Sequence, residues 1–206
     1  NGNIEINAGT LTLENTLESL SESASIRIIT IGGFTGNSDV VANNGDIVFR
    51  GDSFSLGGSA TIDAGTGALD IGSATSGTGI RILSAAAKAS AATTTLNIST
   101  EDIAKTTAGK LRIGAANAGD ISIENPLVRD QAGSNTLKLT SAGSVTNTSG
   151  NNLSVSNLAV VAGGNIRLAS DYASATPSLL ALNSTNLSAG NVQFSQLSAD
   201  YTPAVV

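Results

Sequence analysis

A five-residue phrase recurs along this chain and limits the folds that are open to it. Each copy has a glycine, then Asn or Asp, then two apolar residues that flank one variable residue. The copies lie at 2–6, 45–49, 119–123, 164–168 and 190–194. Glycine and Asn or Asp favour turns, whereas apolar residues at alternate positions are typical of a strand with one buried face. Each copy therefore predicts a short strand that follows a tight turn.

Strand signals of this kind return at nearly constant intervals. The first apolar residues of one predicted row are Ile4, Ile26, Ile47, Leu69, Leu96, Ile121, Val145, Ile166 and Val192. A second row contains Leu11, Phe54, Ile103, Leu127 and Leu153, and a third contains Ile62, Leu111, Leu137, Leu158 and Leu187. Three short strands per repeat of roughly 20–25 residues predict a parallel β-helix, or β-solenoid, in which stacked repeats share one core. The nine members of the first row predict about nine coils.

The composition favours the same all-β architecture. Aromatic residues are only 3% of the chain, and Met, Trp, Cys and His are absent. Ile, Leu, Val and Ala must therefore fill the core, which suits a narrow and regular interior. An antiparallel sandwich would need hairpin turns, yet Asn-Gly pairs occur only at 1–2 and 44–45. We expect one domain over residues 1–206, as a segment of a longer chain.

Three stretches interrupt the regular spacing. Residues 14–25 carry Glu14, Glu18 and Glu22 at intervals that would stack like charges on a helix, so we interpret this stretch as a surface excursion. Residues 84–95 contain Lys88 and enough alanine for one helical turn, and residues 171–179 contain Asp171, Tyr172 and Pro177. Both read as longer turns that project from the rod. Because binding residues are commonly carried on loops, Lys88, Asp171, Tyr172 and Pro177 are the candidate interaction residues.

Charge and hydropathy exclude some partners. The formal net charge is −6, and no stripe of basic residues is evident, so nucleic-acid binding is not expected. No apolar run approaches the roughly 18–20 residues that span a bilayer. The absence of cysteine suits a protein exported through an oxidising compartment, where a chain without thiols cannot mispair.

The repeated phrase, the Ala-Gly-Gly-Asn-Ile-Arg-Leu run at 162–168 and the coils rich in Ser, Thr, Asn and Gly resemble the repeat body of filamentous-haemagglutinin-like exoproteins. These are the large adhesins of two-partner secretion. The resemblance implies a right-handed parallel β-helix, export across a Gram-negative outer membrane, and adhesion or delivery. The secretion domain of that family carries an Asn-Pro-Asn-Gly-type motif, which Asn125-Pro126-Leu127 does not match. The chain thus resembles fibre body rather than secretion signal.

Few residues are candidates for chemistry. Without His and Cys, neither a Ser-His-Asp triad nor an imidazole or thiolate metal site can form. Paired acids remain, namely Asp63 with Asp70 or Asp120 with Glu124, but turn and solvated roles explain them better. A calcium-binding nonapeptide is only loosely approximated at 32–39. We expect no catalytic residue, no metal and no cofactor.

The leading hypothesis is a stiff, structural and adhesive rod of a secreted bacterial surface protein. Its loops would bind a host or neighbouring cell, extracellular matrix or a glycan at the cell surface. One alternative is a filament subunit that stacks end to end through open solenoid edges. A polysaccharide-active β-helix enzyme is the less favoured third hypothesis.

Overall fold

The computed structural model describes residues 2–129, 136–147, 150–151, 153–170, 179–185 and 190–196. Nearly all the regular structure in these ranges is β-strand, and every strand pair is parallel. The first six coils contain most of the strands. Their strands are β1 (Ile4–Leu13), β2 (Leu17–Ser19), β3 (Ile26–Gly36), β4 (Val40–Ala42), β5 (Ile47–Arg50), β6 (Phe54–Leu56), β7 (Ile62–Asp63), β8 (Ala68–Gly72), β9 (Ile80–Leu83), β10 (Leu96–Ser99), β11 (Thr106–Thr107), β12 (Lys110–Gly114), β13 (Ile121–Ile123), β14 (Leu127–Arg129), β15 (Thr136–Ser141), β16 (Val145–Asn147) and β17 (Leu153–Val155).

The remaining elements complete the described chain. The last strands are β18 (Asn157–Ala162), β19 (Ile166–Ser170), β20 (Leu179–Ser184) and β21 (Val192–Gln196). Two five-residue helices, α1 (Ala85–Ala89) and α2 (Thr100–Ala104), lie within the fourth coil. The predicted parallel β-solenoid is thus confirmed.

The first face of the rod is a sheet in the order β1-β3-β5-β8-β12-β15-β18-β20. One inward-pointing residue of each strand pairs with its counterpart on the next. The column is Ile4, Ile26, Ile47, Leu69, Leu111, Leu137, Leu158 and Leu180. Eight rungs make eight coils, and at about 4.8 Å per rung this face extends for about 34 Å.

Two shorter sheets close the coils. A second sheet has the order β10-β9-β13-β16-β19-β17-β14, with β21 also paired to β19, and a third has the order β11-β7-β4-β2. In the first three coils the second straight segment belongs to the later halves of β1 and β3 and to β6, where Phe34 pairs with Phe54. The third sheet accompanies only the first four coils, so the cross-section of the rod changes along its length.

The single predicted row is wrong at its centre. Ile4 to Leu69 lie on the first sheet as expected, but Leu69 pairs with Leu111 and not with Leu96. Leu96 lies on β10 in the second sheet, opposite Ile80, and the rest of the row continues on that sheet from Ile121. Apolar residues at alternate positions look alike on every face, so spacing alone joined two columns into one. Counting Leu96 as a rung also produced nine coils instead of eight.

The interpretation of residues 14–25 as a surface excursion is wrong for its central part. Leu17–Ser19 forms β2, whose residues pair in register with Val40–Ala42 of β4. Alternation places the Ser19 side chain in the interior and Glu18 on the outside. The strand avoids the stacking of like charges that a helix would impose on these glutamates.

The core is one continuous apolar column inside the coils. Its buried members run from Ile26 to Leu168, and residues of the first and last described coils pack against it while partly exposed. Phe34, Phe49 and Phe54 meet in the second and third coils, with ring centroids 5.0 to 5.9 Å apart. Ile121 and Ile123 of the repeated phrase are fully buried, as predicted. The variable residue between them, Ser122, is only partly buried.

Candidate functional site

In four copies of the repeated phrase, the Asn or Asp joins one coil to the next. The Oδ1 atom accepts a hydrogen bond from a backbone N–H about one coil further along the chain. The donor–acceptor pairs are Ser25 with Asn3 at 3.0 Å, Ala68 with Asp46 at 2.8 Å, Ser144 with Asp120 at 2.6 Å and Asn191 with Asn165 at 2.9 Å. The turn role predicted for Asp120 is confirmed. The bond to the next coil was not predicted, because its donor lies 22–26 residues away.

Asp39 and Asp52, at other corners, also accept hydrogen bonds from the next coil. Asp39 accepts from both the backbone N–H and the hydroxyl of Thr61, at 2.8 and 3.0 Å. Burial opposes the charged form of Asp52, but hydrogen bonds from Ser73 and Thr75 outweigh it and lower the pKa of this carboxyl. These side chains stabilise the corners of the rod. Asp39 ends the 32–39 stretch that loosely resembles a calcium-binding repeat, and no group of three acidic side chains suited to a metal occurs among the described residues.

Several corner glycines, among them Gly45 of the phrase, are required by close contact between coils. A Cβ atom on Gly45 would lie 2.0 Å from the carbonyl oxygen of Ala24, and one on Gly67 would lie 2.3 Å from the carbonyl oxygen of Gly45. A Cβ atom on Gly163 would similarly lie 2.0 Å from the carbonyl oxygen of Ala142. Successive corners therefore stack backbone against backbone, which only glycine permits.

The fourth coil contains the main irregularity of the rod. Between Leu69 and Leu111 the chain forms two adjacent rungs of the second sheet, β9 and β10, instead of one. β10 follows β9 in sequence but lies on the opposite side of it from β13, so the chain steps backward along the rod. Helix α1, within the predicted projecting turn at 84–95, connects the two rungs and begins at Ser84, whose Oγ accepts from the Ala87 N–H at 3.2 Å.

Side chains replace a strand at this irregularity, which we call the fourth-coil junction (Lys88, Asp102 and Lys105). The outer edge of β6 has no paired strand beyond it in the described chain, and its backbone groups bond to these three residues. Asp102 Oδ1 accepts from the Leu56 N–H at 3.1 Å, and Lys105 Nζ donates to the Leu56 carbonyl at 3.0 Å. Lys88 Nζ donates to the Phe54 carbonyl and lies 2.5 Å from Asp102 Oδ2.

Lys88 is the one candidate interaction residue that the structure describes. Its side chain is 17% exposed and that of Asp102 is 7% exposed, so the ion pair is largely buried. The ammonium group points into the rod, while Ala85–Ala87 form the exposed surface of α1. Asp171, Tyr172 and Pro177, the other candidates, lie outside the described residues.

A second buried cation covers the end of the third sheet. The guanidinium of Arg129 donates to the Thr106 hydroxyl at 3.0 Å and to the Ala108 carbonyl at 3.2 Å, on the outer side of β11. Arg129 is 4% exposed, and burial lowers the pKa of its guanidinium to about 10. Sequence reasoning missed Arg129, although its position two residues after Leu127 predicts an inward side chain. Asp102 and Lys105 lie outside any strand and had no such signal.

The two candidate pairs of catalytic acids, Asp63 with Asp70 and Asp120 with Glu124, do not form pairs in the structure. Asp63 accepts from the Gly65 N–H on the third sheet, whereas Asp70 pairs with Arg50 at 2.9 Å on the first. Glu124 is not paired with Asp120. It makes two hydrogen bonds to Arg81 of 2.8 and 2.6 Å, and these bonds lower the pKa of its carboxyl.

The outward-facing cations are concentrated on the first sheet. Among the described residues, Arg50, Arg81, Lys88, Lys105 and Arg129 are bonded within the rod. Of the other five, Arg27, Lys110, Arg112 and Lys138 point outward from the first sheet, and Arg167 points outward from the second. Lys110, Arg112 and Lys138 occupy two adjacent rungs and form what we call the basic patch. The predicted alignment of Leu111 with Leu137 already places the next residues, Arg112 and Lys138, side by side.

An acidic surface lies on the third sheet and the corner that follows β2. Glu18 and Asp63 share a column on the outer face, separated by Val41, and Glu22 lies just beyond the strand. Leu20, between the two glutamates, is 80% exposed. A groove of about 390 Å³ is lined by Glu18, Leu20, Asp63 and residues of the adjoining corner. Glu22 lines a second groove, beside Asn3 and Ala24, and we call Glu18, Glu22 and Asp63 the acidic patch.

The described part of the chain is a parallel β-solenoid. Comparison with known protein families, with curated proteins and with solved structures found no match. Within the described residues, no helix is long and apolar enough to cross a bilayer.

Proposed function

We propose that this chain is a structural and adhesive rod of a secreted bacterial surface protein, which holds binding loops away from the surface to which it belongs. The observation that carries the proposal is the use of polar side chains. Asp39, Asp46, Asp52, Asp120 and Asn165 are engaged in bonds from one coil to the next. These hydrogen bonds stabilise the stacking of the coils, as expected of a scaffold.

The continuous core supports the same role. The inner coils pack on their neighbours through fully buried Ile, Leu and Val residues, and the hydrogen bonds of parallel strands run along the rod axis. A repeat protein of this kind resists bending because every coil is held by the two beside it. Adhesion would then depend on the loops and outer faces, in the manner implied by the resemblance to haemagglutinin-like exoproteins.

An attachment assay tests the adhesive part. Beads that carry the chain should attach to epithelial cells or to extracellular matrix, and replacement of residues 172–177 by Gly and Ser at equal length should reduce attachment. Substitution of the exposed Ala86 and Ala87 by Glu tests the loop at 84–95 in the same way. A matched control carries Thr12→Glu on the exposed face of β1.

The outcomes separate the hypotheses. Attachment that falls in the loop variants but not in the control supports adhesion through the loops. Attachment to no surface, or attachment that neither loop variant changes, would contradict the adhesive role. Release of sugar from a panel of polysaccharides, lost on Asp63→Ala or Asp120→Ala, would instead indicate an enzyme.

A further inference from the structure

Two surfaces of opposite charge are left unneutralised on this rod. The basic patch places Lys110 and Arg112 on one strand, with Lys138 directly opposite Arg112 on the next. Like charges in direct opposition across two strands destabilise a sheet. The chain nevertheless keeps this arrangement although its net charge is −6 and acids outnumber bases by 16 to 10.

Nearby acids do little to neutralise the basic patch. Arg112 lies 3.8 Å from Asp46, at the edge of ion-pair distance, and both side chains are more than one-third exposed. Asp70, its neighbour on the preceding rung, is already bonded to Arg50. Beyond Lys138 the outward residues of the same column are Ala159 and Ala181, so two small apolar side chains continue this column past the basic patch.

The acidic patch has the complementary properties. Glu18 and Glu22 are exposed and form no hydrogen bond or ion pair within the described chain. They flank Leu20, whose 80% exposure leaves an apolar side chain beside the groove. A partner of this surface would bring basic groups together with a flat apolar area. The basic patch and the alanines next to it have this chemistry.

We propose that the acidic patch of one chain binds the basic patch of a second copy, so that rods associate side by side. The two patches lie on different sheets and in different coils, the acidic patch in coils one to three and the basic patch in coils five and six. The contact is therefore heterologous and staggered, and each copy retains one free patch of each sign. This association goes beyond the rod function proposed above and differs from end-to-end stacking.

Sedimentation velocity measures the association over a range of protein concentrations and at low and high salt. We expect concentration-dependent assembly that weakens as salt rises, because the contact is electrostatic. Lys138→Glu should weaken self-association about tenfold or more, since it places an acid where the acidic patch binds. Arg167→Glu is the matched control: it is exposed, lies on the second sheet and changes the net charge from −6 to −8 equally.

Complementary charge reversal gives the sharper test. Arg112→Glu with Lys138→Glu forms one double variant, of net charge −10, and Glu18→Lys with Glu22→Lys forms the other, of net charge −2. Each should remain monomeric alone. An equimolar mixture should assemble again although both chains carry net negative charge, because the unaltered acidic patch of one variant meets the unaltered basic patch of the other and the two reversed patches are also complementary.

Three results would overturn the proposal. The first is a chain that stays monomeric at every protein concentration and salt level. The second is an equal loss of self-association in Lys138→Glu and Arg167→Glu. Retention on a column of a polyanionic glycan, lost on Lys138→Glu and without self-association, would assign the basic patch to a polysaccharide instead of a second copy.

Discussion

Gly45 illustrates how single residues determine the spacing of this rod. A glycine before an Asn or Asp is readily predicted to form a turn, because both residue types favour turns. Its second role, as the site where two corners touch, is visible only in three dimensions: the clash that a Cβ atom would make is with Ala24, 21 residues away. The bond of Asp46 is likewise visible only in three dimensions, because its donor, the N–H of Ala68, lies 22 residues away.

Gly45→Ala should therefore lower the free energy of unfolding by about 2 kcal/mol or more, because the methyl group forces two stacked corners apart. Gly9→Ala is the matched control, since a Cβ atom there has no neighbour within 4 Å. Urea denaturation of both variants measures the difference. Equal stability of the two variants would show that the corners do not touch as described.

At the scale of elements, the inward and outward alternation of most strands could be predicted, but the arrangement of the strands around the rod could not. Ile121 and Ile123 are buried as expected, and the spacing of Ile4, Ile26, Ile47 and Leu69 gave their correct register. The backward step at β10 has no local signal. Its strand, Leu96–Ser99, has the same alternating pattern as any other rung.

The candidate site was predicted less completely than the fold. Lys88 was selected as a loop residue open to partners, yet its ammonium group is bonded to Asp102 and to the Phe54 carbonyl. Long-range pairs of this kind join residues 14 to 34 positions apart, so no short motif can reveal them. The basic patch forms no run in the sequence, because Lys138 follows Arg112 by 26 positions and lies beside it only across β12 and β15, a register that the predicted alignment of Leu111 with Leu137 already contained.

The fourth-coil junction yields a prediction for these elements. Asp102→Ala should destabilise the rod by about 3–5 kcal/mol, because it leaves the buried Lys88 ammonium without its counter-charge and the Leu56 N–H without its acceptor. Glu101→Ala, the control, removes an exposed acid that accepts from the Ala85 N–H and should cost about 1 kcal/mol or less. Thermal or urea unfolding measures both changes. A cost for Asp102→Ala no greater than that for Glu101→Ala would contradict the buried role of the pair.

At the scale of the whole molecule, the described part of the chain is a stack of eight coils around one apolar column. The first sheet is the only one with a strand in every coil of the described chain, and one of its outward columns contains Glu5, Asp70, Arg112, Lys138 and Ala181. The other two sheets change along the rod, and the cations bonded within it, Lys88, Lys105 and Arg129, lie where they change. Regular stacking on one face thus tolerates irregularity on the others.

Spin-label distances along this column test the stack most directly, and the absence of cysteine allows clean labelling at introduced cysteines. Glu5 and Lys138 are separated by five rungs, and Glu5 and Ala181 by seven. At about 4.8 Å per rung, pulsed electron paramagnetic resonance should give distances near 24 and 34 Å. Two distances that do not differ by about two rungs would contradict the eight-coil parallel solenoid.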